Sequence, residues 1–288
     1  MNGIIGMVEL LRESQLTPSQ QNKLNIIGRS GESLLEIIND ILDYSKIEAG
    51  KLELEEAVFN LNDLMNDCLS LFSASNSNKQ LRFLSAIPPD YHNQFIGDPT
   101  RLRQVITNIL GNACKFTDKG EIFISAAPLN TNHASNTNAD TENIRISICD
   151  TGIGIKPEAI GNLFDAFCQA DTTTTRKFGG TGLGLNISKQ LVGLMGGEIG
   201  VESNFGRGTE FWFTVQLKRP SDNSNGLSKT RFSLPQTTPG IACISRSKYI
   251  KRAMNQFAKY ADIPFVDIQS PIDITDAIER CQSVFLDH

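Results

Sequence analysis

Three groups of residues in this sequence carry the chemistry needed to hold a phosphate-bearing ligand. The first is Arg176-Lys-Phe-Gly-Gly-Thr-Gly-Leu-Gly-Leu-Asn-Ile187, where Gly180, Gly182 and Gly184 alternate with Thr181 and Leu183. An apolar run at helical spacing follows: Leu185, Ile187, Leu191, Val192, Leu194 and Met195. Backbone N–H groups in a glycine loop that feeds a helix start attract an anion, since orphan donors and helix dipole point outward together. A flexible turn is the plainer alternative. No Lys-Ser/Thr pair follows the last glycine, and Ile187 stands where a dinucleotide fingerprint needs glycine, so neither common phosphate motif applies. The second group is Asn108, Asn112 and Lys115, spaced to share one helix face. Amide oxygens can complete the oxygen shell of Mg²⁺, and lysine can meet a phosphate; a solvated polar face is the alternative. The third is Asp150-Thr-Gly-Ile-Gly154, a carboxylate at a strand end beside two glycines. It can accept a hydrogen bond from the exocyclic amine of a base, or serve simple turn chemistry.

The elements that position these groups are legible in outline. The helix from the Asp98-Pro99 cap carries the apolar face Leu102, Val105, Ile106, Ile109, Leu110 and Ala113, with the two asparagines and the lysine opposite. Strands are expected at Val58–Leu61, Leu81–Ile87, Glu121–Ala126 and Ile144–Cys149, with a helix between the first two reaching about Phe72. Residues Leu129–Asn143 read as a surface loop. A hairpin is expected from Glu198–Ser203 and Thr209–Leu217 across Asn204-Phe-Gly-Arg-Gly208. Phe164 and Phe167 are expected to close a helix after the Asp150 turn, packed in the core. Strands and helices mixed in this order imply an α+β sandwich, a sheet with helices on one face.

Upstream, Ile4, Val8 and Leu11 give a first helix an apolar stripe, broken at Leu16-Thr-Pro-Ser19. A second helix from Ser19 to about Lys46 repeats Leu24, Ile27, Gly31, Leu34, Ile38 and Ile41 at three-four spacing, with Leu35 and Leu42 beside them. Two helices bury little alone, so pairing of two hairpins into a four-helix bundle is expected, an ordinary intrachain helix pair being the alternative. Downstream, residues 220–239 are rich in Ser, Asn, Thr and Pro and read as a linker. Strand Ile241–Ile244, a helix to Tyr260, strand Phe265–Val266, a short helix and strand Val284–Leu286 then read as the first half of a βαβαβ unit.

Composition narrows the classes. The 288 residues suit about two domains, and 40% hydrophobic content supports a packed core. A net charge of -5 argues against nucleic acid as a partner. Six cysteines without a Cys-x-x-Cys pair suggest reduced thiols in a cytosolic compartment, and the three histidines, His92, His133 and His288, are too scattered for a metal site. No 18-residue apolar run or signal peptide is seen, and the amphipathic pattern already under way at Ile4 gives the look of an excised, soluble piece.

Asn108-Ile-Leu-Gly-Asn112-Ala-Cys-Lys-Phe-Thr117, Asp150-Thr-Gly-Ile-Gly154, Phe164-Asp-Ala-Phe167, Gly179-Gly-Thr-Gly-Leu-Gly-Leu185 and Gly206-Arg-Gly-Thr-x-Phe211 occur in the order found in sensor histidine kinases. The resemblance covers Met1 to about Arg219. Met1-Asn-Gly-Ile-Ile-Gly and Ile41-Leu-Asp-Tyr-Ser-Lys-Ile-Glu-Ala-Gly50 resemble the dimerisation helices of the hybrid members, and the whole is most similar to the BarA type. The resemblance implies a dimerisation hairpin at 1–50, an ATP-binding Bergerat (GHKL) α/β sandwich at 51–219, a linker at 220–239 and a partial, degenerate receiver-like segment at 240–288.

It also implies roles. Asn112 would ligate Mg²⁺, Asn108 would sit beside the γ-phosphate of ATP, and Lys115 would touch phosphate. Asp150 would read the adenine amino group, with Gly154 and Thr209 beside the base. Gly180, Gly182 and Gly184 would line the triphosphate under a lid at Cys168–Phe178, where Arg176 and Lys177 supply positive charge. The nucleotide-binding set would also take in Phe116, Gly152, Phe167, Thr181 and Leu183. Catalysis in such an enzyme is positioning and charge neutralisation of the transferring phosphoryl group. The implied partners are a second copy, a response regulator, and receiver and phosphotransfer domains. The implied location is the cytoplasmic part of an inner-membrane sensor, anchored through segments outside this sequence.

The departures matter as well. The family's Ser-His-Glu-x-Arg-Thr-Pro phosphoacceptor motif is not among these residues, so they are not expected to phosphorylate themselves. In the tail, Ser245-Arg-Ser247 stands where a receiver carries an acidic pair, leaving Asp287 with a poor Mg²⁺ site. An intact nucleotide set argues against a decayed scaffold that merely holds ATP. Gyrase- or chaperone-type ATPases of the same fold carry a general-base glutamate where Asn108 stands, and an amide cannot take a proton from water.

Overall fold

The computed structural model describes residues 2–12, 14–87, 94–129, 141–168, 182–220, 241–245, 247–260, 264–267 and 283–286. The surface loop, lid and linker expected from the sequence, the three histidines and Asp287 lie outside the described residues, apart from the loop and lid ends. The chain divides into two compact units. One comprises Met1–Glu53 with Asn162–Gln190, the other Leu54–Gly161 with Leu191–His288.

In the first unit, α1 (Asn2–Arg12) and α2 (Pro18–Glu48) form the expected hairpin. Thr17 caps α2 through a capping box with Gln20, and Pro18 takes the first helical position, which moves the start one residue ahead of Ser19. Val8 and Leu24 are buried where α1 crosses Gly28, whose missing side chain admits Val8. Much of the apolar stripe of α2 stays open: Ile27, Leu34, Ile38, Ile41 and Leu42 are each at least a third exposed.

The second unit is built on a seven-stranded sheet. Its strands are β1 (Ala57–Asn60), β2 (Gln80–Ala86), β3 (Gln94–Gly97), β4 (Lys119–Pro128), β5 (Thr141–Asp150), β6 (Ile199–Asn204) and β7 (Gly208–Lys218). They run in the order β1-β3-β7-β5-β4-β2, with β6 also paired to β7. All pairings are antiparallel except β2 with β4. Helices α3 (Leu61–Ser75) and α4 (Pro99–Phe116) bury one face each, with Leu61 and Met65 meeting the fully buried Leu102, Val105, Ile106, Ile109 and Leu110 in one core. Alternation along a strand sends Ile122 and Ile124, or Ile146 and Ile148, to the same side of the sheet.

Three elements depart from expectation. Strand β3 is not foreseen; it forms by pairing antiparallel with β1 and β7, partners far away in sequence. Strand β1 ends at Asn60, whose side chain accepts from the Asn62 and Asp63 N–H groups and turns Leu61 into a helix start. Residues Thr141–Asn143, expected in the loop, belong to β5, because pairing with β7 continues to Thr141 opposite Lys218.

The C-terminal part contributes β8 (Ile241–Ile244), α7 (Lys248–Tyr260), β9 (Phe265–Asp267) and β10 (Ser283–Leu286). The helix takes the number α7 because α5 (Pro157–Ile160) and α6 (Gly184–Leu194) precede it. The three strands are parallel, in the order β10-β8-β9, as a βαβαβ chain requires.

Candidate nucleotide site

The site is built around the end of β5. Strand pairing carries Asp150 to the edge of the core, opposite Ile122 of β4, where only 5% of it remains exposed. The chain then turns back at once. The Gly152 N–H donates to Asp150 Oδ1 at 2.8 Å, an Asx turn that locks the carboxylate in place. A Cβ on Gly152 would stand 2.3 Å from the Phe116 carbonyl oxygen, so only glycine lets this turn lie on the end of α4. Gly154 has φ of 69°, and a Cβ there would strike the Asn204 carbonyl oxygen at 2.3 Å.

Two elements hold the turn from opposite sides. From α4, the Phe116 carbonyl accepts the Ile153 N–H at 3.3 Å. From the β6–β7 hairpin, the Gly206 N–H donates to the Ile153 carbonyl at 2.7 Å, and Ser203 Oγ accepts the Ile155 N–H at 2.8 Å. Thr209 is buried, its hydroxyl 2.9 Å from Ser203 Oγ, and its backbone N–H favours the Asp150 carboxylate. Lys79 closes the same C-terminal end of α4, its Nζ donating to the carbonyls of Cys114 and Thr117 at 2.7 and 3.2 Å.

Burial pushes the Asp150 carboxyl above the ordinary aspartate range, against the pull of the Gly152 and Thr209 N–H groups and nearby Thr117. The Thr117 hydroxyl is fully buried beside that carboxylate and favours its charged form. A desolvated carboxylate beside a buried hydroxyl, in a wall of glycines, suits a flat polar ligand edge that brings its own donor and acceptor. On α4, Asn108, Asn112 and Lys115 are half-buried on the side away from the core, as the spacing predicts, and Phe116 is half-buried at the helix end. The Lys115 ammonium lies 5.2 Å from the Phe116 ring centroid, and burial lowers its pKa. The structure thus brings together Asp150, Gly152, Gly154, Thr209 and Phe116 as one pinned turn, with Asn108, Asn112 and Lys115 on the helix it rests on.

The remaining candidates lie in the first unit. Gly182 has φ of 69° and its carbonyl accepts the Phe167 N–H at 3.2 Å; Leu183 is buried, and Gly184 opens α6. Arg176, Gly180 and Thr181 lie outside the described residues. Phe164 and Phe167 do not close a helix, since α5 is a single turn ending at Ile160. Phe164 is half-buried, its carbonyl accepting from Asn186 at 2.9 Å. Phe167 is not a core residue: it is 68% exposed with φ of 62°, a left-handed conformation that cannot continue a helix, and its ring meets Tyr44 edge-on. Thr117, Ser203 and Lys79 were not singled out from the sequence. Thr117 ends the α4 motif and could have been suspected; Ser203 and Lys79 act through pairings no local pattern reveals.

Residues 97–219 match the family described as histidine kinase-, DNA gyrase B-, and HSP90-like ATPase, and residues 1–50 match the His Kinase A (phospho-acceptor) domain. The chain is 47% identical over 227 residues to the sensor histidine kinase GacS of Pseudomonas protegens, covering 79% of this chain and 24% of that one. It is 45% identical over 217 residues to the signal transduction histidine-protein kinase BarA of Escherichia coli, covering 75% and 23%. It therefore spans about a quarter of the length of these relatives. Among solved structures, full-length ShkA in complex with AMPPNP is similar with a TM-score of 0.72 at 28% identity, covering 96% of this chain and 54% of that one.

Proposed function

We propose that this chain, which belongs to the sensor histidine kinase family, is the ATP-using core of a hybrid kinase of a two-component phosphorelay. The γ-phosphoryl group of ATP passes to a histidine, breaking its bond to the β-phosphate oxygen and forming a P–N bond. It then moves along an aspartate and histidine relay to a response regulator. The Ser-His-Glu-x-Arg-Thr-Pro acceptor motif is not among these 288 residues. The observation that carries the nucleotide assignment is the buried Asp150 carboxylate, fixed by Gly152 and flanked by the buried Thr117 hydroxyl. A carboxylate so placed accepts from the adenine amino group, and the Thr117 hydroxyl can donate to a ring nitrogen.

Each residue then has a task. Thr209, Gly152 and Gly154 shape the wall beside the base, with Phe116 at the end of α4 as apolar cover. Asn112 would hold Mg²⁺ through its amide oxygen and Asn108 would lie at the γ-phosphate. Lys115 adds charge against the phosphates. Among the described residues no cluster of three His, Cys, Asp or Glu forms, and an amide donor set suits a metal whose other ligands are phosphate oxygens and water. Bound there, Mg²⁺ would neutralise charge on the β- and γ-phosphates. Gly180, Thr181, Gly182, Leu183, Gly184, Arg176 and Phe167 keep the nucleotide-side roles their motifs imply. The AMPPNP held by ShkA supports this assignment.

The hairpin is the dimerisation element, its uncovered Leu34, Ile38 and Ile41 meeting those of a second copy. Among the described residues no helix is long and apolar enough to cross a membrane. The kinase core works on the cytoplasmic side of an inner-membrane sensor, where ATP and the regulator are found. Calorimetric titration with Mg·ATP and Mg·GTP tests the core assignment. Binding of ATP with clear preference over GTP is expected, because the 6-oxo group of guanine presents an acceptor to a carboxylate. Equal binding of both, or of neither, overturns it.

A further inference from the structure

The sheet of the second unit has a rear face, turned away from α3 and α4, where Phe123 and Cys149 are nonetheless fully buried. The residue that buries them is Tyr249 on α7, itself 4% exposed. Its ring stacks on Phe123 with centroids 5.2 Å apart and planes at 16°, in a cluster with Cys149, Leu84, Ala86 and Ala253. Polar contacts fix the register of this docking. Ser247 Oγ donates to Glu121 Oε2 at 2.5 Å, while Arg82 pairs with the other carboxylate oxygen of Glu121. Arg252 lies 3.6 Å from Glu210 and over the Phe123 ring. Ser247 also caps α7, accepting the Ile250 N–H at 3.2 Å, so one hydroxyl joins helix start and docking.

One contact reaches the nucleotide site from behind. The Tyr249 hydroxyl donates to the backbone carbonyl of Asp150 at 3.2 Å. Asp150 is the last residue of β5, and past it Thr151 makes the last ties to β4, its N–H donating to the Glu121 carbonyl at 3.1 Å and its hydroxyl accepting the Glu121 N–H at 2.9 Å. Gly152 and Phe116 hold the front of the turn, Thr151 ties its start to Glu121, and Tyr249 adds a hold on the Asp150 carbonyl from the rear.

We propose that the β8–α7 segment is an intrachain docking module seated on the rear face of the catalytic sheet, with Tyr249 a positioning residue for Asp150. The inference rests on the assignment of Asp150 to the adenine amine and adds the element that keeps that carboxylate aligned. It also accounts for the serines at the end of β8. Ser245 and Ser247 are buried, and Ser247 faces a carboxylate; an acidic residue at 247 would be repelled by Glu121 and would undock the module.

The full chain serves for the test. Tyr249→Phe keeps the stack on Phe123 and deletes only the bond to Asp150. It is expected to bind ATP roughly 2- to 10-fold more weakly, the worth of one hydrogen bond, and to lose part of its preference for ATP over GTP. Ser247→Asp is expected to raise hydrogen exchange of the α7 amides about 10-fold or more, and Glu121→Gln in the same chain to restore protection. Tyr249→Phe matching the wild type in affinity and base preference overturns the positioning role. Ser247→Asp leaving α7 protected, or Glu121→Gln failing to rescue it, overturns the docking. Hydrogen exchange is read without nucleotide. A wild type that binds no ATP therefore sinks the adenine assignment and leaves the docking to be decided by exchange alone.

Discussion

Asp150→Asn separates the proposed base recognition from the fold that supports it. The carboxylate has two oxygens, and Oδ1 is taken by the Gly152 N–H at 2.8 Å. An asparagine satisfies that donor by placing its amide oxygen there, which turns its NH₂ toward the ligand. The adenine amine then meets a donor where it needs an acceptor. Losing one charge-assisted hydrogen bond and leaving the partner unmatched costs about 1.5–3 kcal/mol, or roughly 10- to 150-fold in Kd. Lys115→Ala should cost less, about 1 kcal/mol or under, since a half-buried ammonium acts on phosphate charge that Mg²⁺ and water already share. Isothermal titration with Mg·ATP measures both. Thermal unfolding without nucleotide controls for misfolding, and little change is expected for Asp150→Asn, because the substitution also removes a desolvated charge. Equal losses for the two variants, or a larger one for Lys115→Ala, refute the adenine role of Asp150.

Acidification should act on fold and ligand in opposite directions. The folded carboxyl of Asp150 is raised, so this group costs stability as pH rises from the ordinary aspartate value through the raised one, whereas ATP affinity falls as pH drops through that same interval. Thermal shift with and without ATP, compared between wild type and Asp150→Asn, reads both slopes; parallel slopes count against the assignment. Asn112→Ala should weaken ATP binding in Mg²⁺ and leave it nearly unchanged in EDTA, and a loss of equal size in both would remove Asn112 from the metal site. Leu34→Asp with Ile38→Asp puts unpartnered carboxylates into the expected four-helix seam, and light-scattering chromatography should show monomers that still bind ATP. A persistent dimer would move the interface elsewhere.

What the sequence reveals about this molecule follows from the range of the interactions involved. Helix α4 is legible because everything that defines it is local: the Asp98 cap accepting the Arg101 N–H, Pro99 after it, and an apolar face at three-four spacing. Asn108, Asn112 and Lys115 inherit that legibility, since a helix fixes their common side. The hairpin is readable for the same reason, its stripe being wider than α1 can cover. Asp150 is recognisable as a candidate because a strand end beside two glycines is also a local pattern. Its environment is another matter. The residues that set its pKa and orientation arrive by strand pairing and helix packing from Thr117 and Thr209, and Ser203, which braces Thr209, has no signal of its own.

The tail shows the limit most clearly. Its strands and helix are each foreseeable from alternation and amphipathicity, yet Tyr249 meets Asp150 across 99 positions, and Ser247 meets Glu121 across 126. From the sequence alone, Ser245-Arg-Ser247 reads as a loss, an acidic pair replaced by hydroxyls. Placed against Glu121, Ser247 fits a different requirement, since a hydroxyl can donate to a buried carboxylate and a second carboxylate cannot, while the Ser245 hydroxyl accepts the Ser247 N–H. Residue types that look degenerate for one chemistry are well chosen for another. Only the surface they face, fixed by how α7 lies across β2 and β4, distinguishes the two.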